Sequence, residues 1–111
     1  MHPCFNSAGV KLVAEEGTTE AGDLVTRYCV TVAAYTHPRP AKSVAMKGQP
    51  VPQYYFDRPI SALFSTCFKS GFVLDGIEEP AFRESAEDGR ANWSNITQIP
   101  PVLVARMRLL G

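Results

Sequence analysis

The stretch that decides the fold is YYFDRPISALFSTCFKSGFVLDGIEEP, residues 54–80. From Ile60 to Phe68 its apolar residues recur at the spacing of one helical face, directly after a proline, a residue that the first turn of a helix tolerates. Gly71 is typical of the residue that ends a helix, and a short β-prone run follows it. The stretch therefore predicts an amphipathic helix near residues 59–70 that leads directly into a strand near residues 72–79.

Strands are predicted on both sides of this helix. Residues 10–35 contain two β-prone runs separated by a turn near residues 18–22, which predicts a hairpin. Residues 101–110 alternate in a two-residue period and are the natural antiparallel partner of the strand near 72–79. Residues 37–52 carry four prolines, so they are predicted to form an irregular connection. We expect one α+β domain over residues 1–111, an antiparallel sheet with the helix on one face.

Composition limits the class of partner. Eleven basic residues balance eleven acidic ones, which argues against a nucleic-acid-binding protein. No apolar run approaches the roughly 20 residues of a membrane span, and the first residues lack the apolar core of a signal peptide. Three cysteines without close pairs are typical of reduced thiols. We therefore expect a cytoplasmic protein that binds neither nucleic acid nor a membrane.

The residues alone identify no reactive centre. His2, Cys4 and His37 lack the spacing of metal ligands, so no metal site is expected. Cys67 belongs to the apolar face of the predicted helix, where a small buried side chain is a better interpretation than a nucleophile. No glycine-rich phosphate-binding loop occurs in the chain. The catalytic residues therefore stay unassigned.

Several segments resemble the C-terminal part of class I S-adenosylmethionine-dependent methyltransferases. RPIS, KSGF and VLDGIEEP, within residues 58–80, resemble the last helix and the sixth strand of that family. HPCF at residues 2–5 resembles the segment after the fifth strand, and PPVLVARMRLL at residues 100–110 resembles the seventh strand. The glycine-rich loop and the ribose-binding acidic residue of the family have no counterpart here. The resemblance therefore implies a C-terminal portion of such an enzyme, with S-adenosylmethionine bound by the parent enzyme and no cofactor bound by this chain alone.

The resemblance also implies where the methyl acceptor binds. In the family, the segment after the fifth strand and the segment that enters the last helix help to wall the acceptor pocket. These segments correspond to substrate-binding residues His2, Phe5, Tyr55 and Arg58 here. Many members have histidine where this chain has Asp57, so no role of that imidazole transfers. Arg58 is expected either to pair with a substrate carboxylate or to cap backbone carbonyls.

Two hypotheses of function follow. In the first, the chain is the substrate-side portion of a methyltransferase for a small-molecule acceptor and is inactive alone. Its exposed surfaces are then expected to form a homodimer through a sheet edge or through the helix face around Ile60, Leu63 and Phe64. In the second, the chain is a self-sufficient small α+β binding or regulatory domain without enzymatic activity, with a closed core as a monomer.

Overall fold

The computed structural model describes residues 1–43 and 48–110, and it has the predicted α+β class. One α-helix accompanies three antiparallel two-stranded sheets in this part of the chain, so the expectation of a single sheet was wrong and the hairpin does not pair with the strands near 72–79 and 101–110. The first sheet pairs β1 (Val10–Thr18) with β2 (Leu24–Val32), the second pairs β3 (Ala41–Ser43) with β4 (Gln53–Tyr55), and the third pairs β5 (Phe72–Glu78) with β6 (Val104–Leu109). Helix α1 is Ile60–Lys69, and a single 3-10 turn covers Trp93–Asn95.

The β1–β2 hairpin has the predicted position, and its register is unbroken from the Val10–Val32 pair to the Thr18–Leu24 pair. Gly22 turns the chain with a φ of 87°, in the left-handed region that favours glycine. At the open end of the hairpin, the Ala33 amide donates to the Gly9 carbonyl at 2.7 Å. The hairpin is therefore tied to the N-terminal turn by a backbone contact.

Helix α1 begins after Pro59, whose φ of −65° and ψ of 156° are extended rather than helical. It ends at Lys69, and Gly71, two residues later, has a φ of 90° and donates its amide hydrogen to the Phe68 carbonyl. Phe64 is buried, but Phe68 on the predicted apolar face is 50% exposed. Only part of the predicted face is therefore buried within the chain, because α1 packs on β5 alone among the described elements with substantial contact.

The predicted pairing of the strands near 72–79 and 101–110 is confirmed, with an irregularity that the sequence did not indicate. Leu74 lies opposite Met107 and Gly76 opposite Arg106, so Asp75 is an extra residue that bulges from β5. The Asp75 carboxylate accepts a hydrogen bond from Nε of Arg106 at 2.7 Å. The bulge shifts the alternation of β5 by one residue, so that Ile77 shares a face with Leu74.

The structure differs from the prediction of an irregular connection across residues 37–52. Ala41–Ser43 pairs with Gln53–Tyr55, so part of this segment is a strand. Pro40 and Pro52 each directly precede one of the two strands, where a proline removes no ladder hydrogen bond from the strand interior. Residues 44–47, within the same prediction, lie outside the described residues.

The loop between β5 and β6 is organised by Asn95, which is buried. Its Oδ1 accepts hydrogen bonds from the Ser85 hydroxyl and the Glu87 amide, and its Nδ2 donates to Asp88 Oδ1 and to the Arg90 carbonyl. The hydrogen bonds that the Asp88 carboxylate accepts from the Asn95 side chain and from the Arg90 backbone amide lower the pKa of Asp88. A single side chain therefore satisfies four polar groups of this loop.

The molecule is elongated, with extents of 59 × 35 × 24 Å. Its radius of gyration is 17.2 Å, against about 13 Å for a compact chain of this length. Among the large apolar side chains of the described residues, only those of Phe64 and Ile96 are buried. The ten-residue α1 is half the length of a membrane-spanning helix, and the described residues contain no helix that could cross a membrane.

Candidate functional site

The N-terminal turn is held in place by His2, which is 2% exposed. Its Nδ1 accepts a hydrogen bond from the Cys4 amide at 3.1 Å, so the ring proton is assigned to Nε2. Nε2 lies 2.6 Å from Oε2 of Glu79, the residue after β5, and donates to it. The ring of Phe5 lies 4.6 Å from that of His2, centroid to centroid. Both nitrogens of His2 therefore have partners within the chain, and the imidazole fixes the turn against the end of β5.

The segment that enters α1 lies against the residues after this turn. Oδ2 of Asp57 accepts a hydrogen bond from the Ala8 amide at 3.0 Å. Asn6 adds a second anchor, because its Nδ2 donates to the Pro101 carbonyl at 3.0 Å. The first contact holds the segment that enters α1 against the N-terminal residues, and the second holds the same N-terminal residues against the segment before β6.

The first helical amide has an acceptor from a distant part of the chain. The Ile60 amide donates to the hydroxyl oxygen of Tyr35 at 2.9 Å, while Pro59 at the helix boundary has no side chain that could cap it. The hydrogen bond from the Ile60 amide by itself lowers the pKa of Tyr35. The hydrogen bond and charge interaction with the Cys4 side chain, together with burial, outweigh it, so the pKa of Tyr35 is raised. Tyr35 is therefore a protonated phenol that closes the start of α1.

Two neighbouring hollows form where these segments meet. The large hollow, of about 780 Å³, is lined by Tyr55, Lys42 and Trp93 among others, and the small hollow, of about 270 Å³, is lined by His2, Arg58 and Leu63 among others. Met1, Asn6 and Asp57 line both, so the hollows adjoin. Of the predicted substrate-binding residues, His2 and Arg58 share the small hollow and Tyr55 lines the large one. Phe5 lines neither and contacts His2 instead.

The hollows combine apolar walls with cationic groups. Ala8, Val10 and Trp93 supply apolar surface to the large hollow, and Lys42 lies there with its Nζ 5.1 Å from the centroid of the Tyr54 ring. Arg58 is exposed, and its guanidinium makes no hydrogen bond or ion pair to the described part of the chain. The arrangement is suited to a small molecule with an apolar body and a negatively charged end.

Three residues of this site were not predicted from the sequence. Tyr35 lies 25 residues before the amide it accepts from, and Glu79 lies 77 residues after His2. Trp93, in the loop between β5 and β6, lines the large hollow together with residues of the N-terminal segment. No periodicity or spacing in the sequence marks these contacts, because each joins segments that are distant in the chain.

Comparisons with known proteins identify no family or relative for this chain. A scan against protein-family models, a search of curated proteins and a search of solved structures each found no match. The resemblance to methyltransferases therefore stays a hypothesis that rests on the motifs at residues 2–5, 58–80 and 100–110.

Proposed function

We propose that this chain is the C-terminal, acceptor-binding portion of a class I S-adenosylmethionine-dependent methyltransferase. The observation that supports the proposal is the meeting of its two motif segments. The resemblance implies that the segments at 2–5 and 54–58 wall one acceptor pocket. His2 and Pro3 of the first segment line the small hollow, and the second segment lines both hollows. In this proposal the chain binds and orients a small-molecule acceptor in a cytoplasmic enzyme, and the parent enzyme supplies the methyl donor.

The described residues do not fit S-adenosylmethionine itself. A nucleoside cofactor is commonly held at the start of a helix by a glycine-rich loop. Here α1 follows Pro59, and its first amide is already bonded to the hydroxyl of Tyr35. We therefore assign the cofactor to the parent enzyme and assign no step of methyl transfer to residues of this chain.

Arg58 is the residue we assign to the acceptor. Its guanidinium caps no carbonyl in the described part of the chain, which favours the first of the two expected roles, pairing with a carboxylate. The apolar body of the acceptor would lie in the large hollow against Trp93 and Tyr55, with its carboxylate toward Arg58. His2 would shape the wall through its ring, since both ring nitrogens are engaged.

The experiment is a nuclear magnetic resonance titration with benzoate, followed at the indole N–H signal of Trp93, the single tryptophan of the chain. Arg58→Ala is expected to weaken benzoate binding by about tenfold to hundredfold, since one charge-assisted hydrogen bond contributes about 1.5–3 kcal/mol. Arg39→Ala is the matched control, because exposed Arg39 lies outside the lining of both hollows. Equal binding by both variants would refute the role of Arg58.

A self-sufficient binding domain is the second candidate. It is favoured by one observation, that both hollows are formed within this chain. The coding DNA upstream of Met1 discriminates between the two. An in-frame strand followed by a glycine-rich loop supports the methyltransferase, and its absence together with benzoate binding supports the independent domain.

A further inference from the structure

The chain exposes more surface than a compact protein of its size. Its accessible surface is 8358 Å², whereas a compact 12.2 kDa monomer exposes about 6,000 Å². The excess is about 2,400 Å², well above the roughly 800 Å² that each partner buries in a standard interface. The surface is therefore large enough for a stable contact with another molecule.

The β1–β2 hairpin offers the longest strand edges for such a contact. Each of its strands has nine residues in an unbroken register, and each pairs on one side only. Residues 10–16 of β1 contain neither proline nor a bulge, and the charged residues among them, Lys11, Glu15 and Glu16, include both signs. The free edge of β1 is therefore a template for a further antiparallel strand.

The sequence of β1 is complementary to itself. When two copies pair antiparallel about a two-fold axis at Val13, Lys11 of each copy lies opposite Glu15 of the other. Val13 then meets its own copy, and Leu12 lies opposite Ala14 of the second chain. The two members of each opposed pair lie on the same face of the sheet, with Lys11, Val13 and Glu15 on one face and Leu12 and Ala14 on the other. Two-fold symmetry produces the ion pair twice, as a closed dimer requires.

Glu15 is placed to interact with two cations, Arg27 of its own hairpin and Lys11 of the second copy. Its Oε2 already accepts a hydrogen bond from Nη2 of Arg27 at 2.9 Å, across the hairpin. Lys11 is exposed, and its side chain makes no ion pair with the described residues. In the paired arrangement one carboxylate would lie between two cations, and the lysine would gain a partner.

The other edges are less suited to a second copy. Self-pairing of β2 about Tyr28 places Arg27 opposite Cys29 and creates no ion pair. Self-pairing of β6 about Arg106 or Met107 places arginine opposite arginine, which is unfavourable. The edge of β5 is interrupted by the bulge at Asp75.

We propose that a second copy of this chain binds the free edge of β1, so that the two hairpins form one antiparallel four-stranded sheet centred on Val13. The interface does not depend on the role of the chain in methyl transfer. It uses the free edge of β1, and of the residues that line the two hollows only Val10 belongs to that strand.

Sedimentation equilibrium of the full chain tests the interface. The wild type is expected to be a dimer, and Lys11→Glu, which opposes Glu15 of the second copy with a like charge, is expected to weaken the dimer at least about tenfold. The double variant Glu15→Lys with Arg27→Glu preserves the pair within the hairpin but opposes lysine to lysine between copies. It should weaken the dimer likewise.

The triple variant, which adds Lys11→Glu to that pair of changes, restores opposite charges at every contact and is expected to recover the wild-type dissociation constant. Circular dichroism verifies that each variant retains the fold. A monomeric wild type would overturn the proposal. A dimer that Lys11→Glu leaves unchanged would place the interface on another surface and would overturn it equally.

Discussion

His2 and Glu79 are joined by a hydrogen bond of 2.6 Å that links the N-terminal turn to the end of β5. Because the imidazole is buried, removal of its acceptor leaves a polar nitrogen unsatisfied. Glu79→Ala is therefore expected to lower the free energy of unfolding by about 1–3 kcal/mol, measured by urea denaturation. Glu78→Ala, at the exposed neighbouring position, is the control and should change it by less than about 0.5 kcal/mol. Equal effects would contradict the role of this contact.

Gly9 packs against the backbone of Ala33. A Cβ atom at residue 9 would lie 1.9 Å from the Ala33 carbonyl oxygen, so Gly9→Ala forces the hairpin base to move. We expect a loss of about 2 kcal/mol or more, measured by thermal or urea unfolding. At Gly17, within β1, an added Cβ meets no atom within 4 Å, and Gly17→Ala is expected to be nearly neutral. A tolerated change at Gly9 would show that the hairpin base is placed differently.

Phe64 and Phe68 both belong to the predicted apolar face of α1, but they differ in burial. Phe64 is 9% exposed and Phe68 is 50% exposed. Phe64→Ala is expected to cost about 3–5 kcal/mol, as for core phenylalanines, and Phe68→Ala less than half of that. Urea unfolding of the two variants under one set of conditions gives the comparison. A larger loss at Phe68 would mean that this residue is covered, for instance by a second molecule.

Tyr35→Phe removes the acceptor of the Ile60 amide. The loss is expected to be about 0.5–2 kcal/mol, the range for helix N-caps, whereas Tyr54→Phe, at an exposed ring, should have little effect. The pKa of Tyr35 is raised in the folded chain, so its proton stabilises the fold below the unfolded value near about 10. That contribution disappears as the pH rises through the folded pKa.

The difference in stability between the wild type and Tyr35→Phe should therefore be constant near neutral pH and should shrink in alkaline solution. Unfolding curves of both proteins from neutral to alkaline pH measure this difference directly. A difference that grows with pH would contradict the assigned direction of the pKa shift.

The sequence predicted those helices and strands that are long enough for a regular spacing of apolar residues to be visible. The apolar spacing from Ile60 to Phe68 predicted α1, and the alternation in residues 10–35 and 101–110 predicted the hairpin and β6. Strands of three residues, such as Ala41–Ser43, are too short for a period to appear. The sequence therefore could not indicate the second sheet.

The contacts that form the candidate site join residues that are far apart in the sequence. Asp57 meets the Ala8 amide across 49 residues, and His2 meets Glu79 across 77. Such pairings are fixed by tertiary packing rather than by local propensity, so no window of sequence contains both partners. The resemblance named His2, Phe5, Tyr55 and Arg58, and the structure places all of them except Phe5 at adjoining hollows, while their role in binding stays a prediction.

The most direct test of the proposed acceptor site is a paired titration of the wild-type chain with benzoate and with S-adenosylhomocysteine, followed at the Trp93 indole signal. The account predicts a saturable shift with benzoate and none with S-adenosylhomocysteine, since the chain is assigned the acceptor side of the enzyme and not the cofactor side. Saturable binding of S-adenosylhomocysteine, or no response to benzoate, would contradict it.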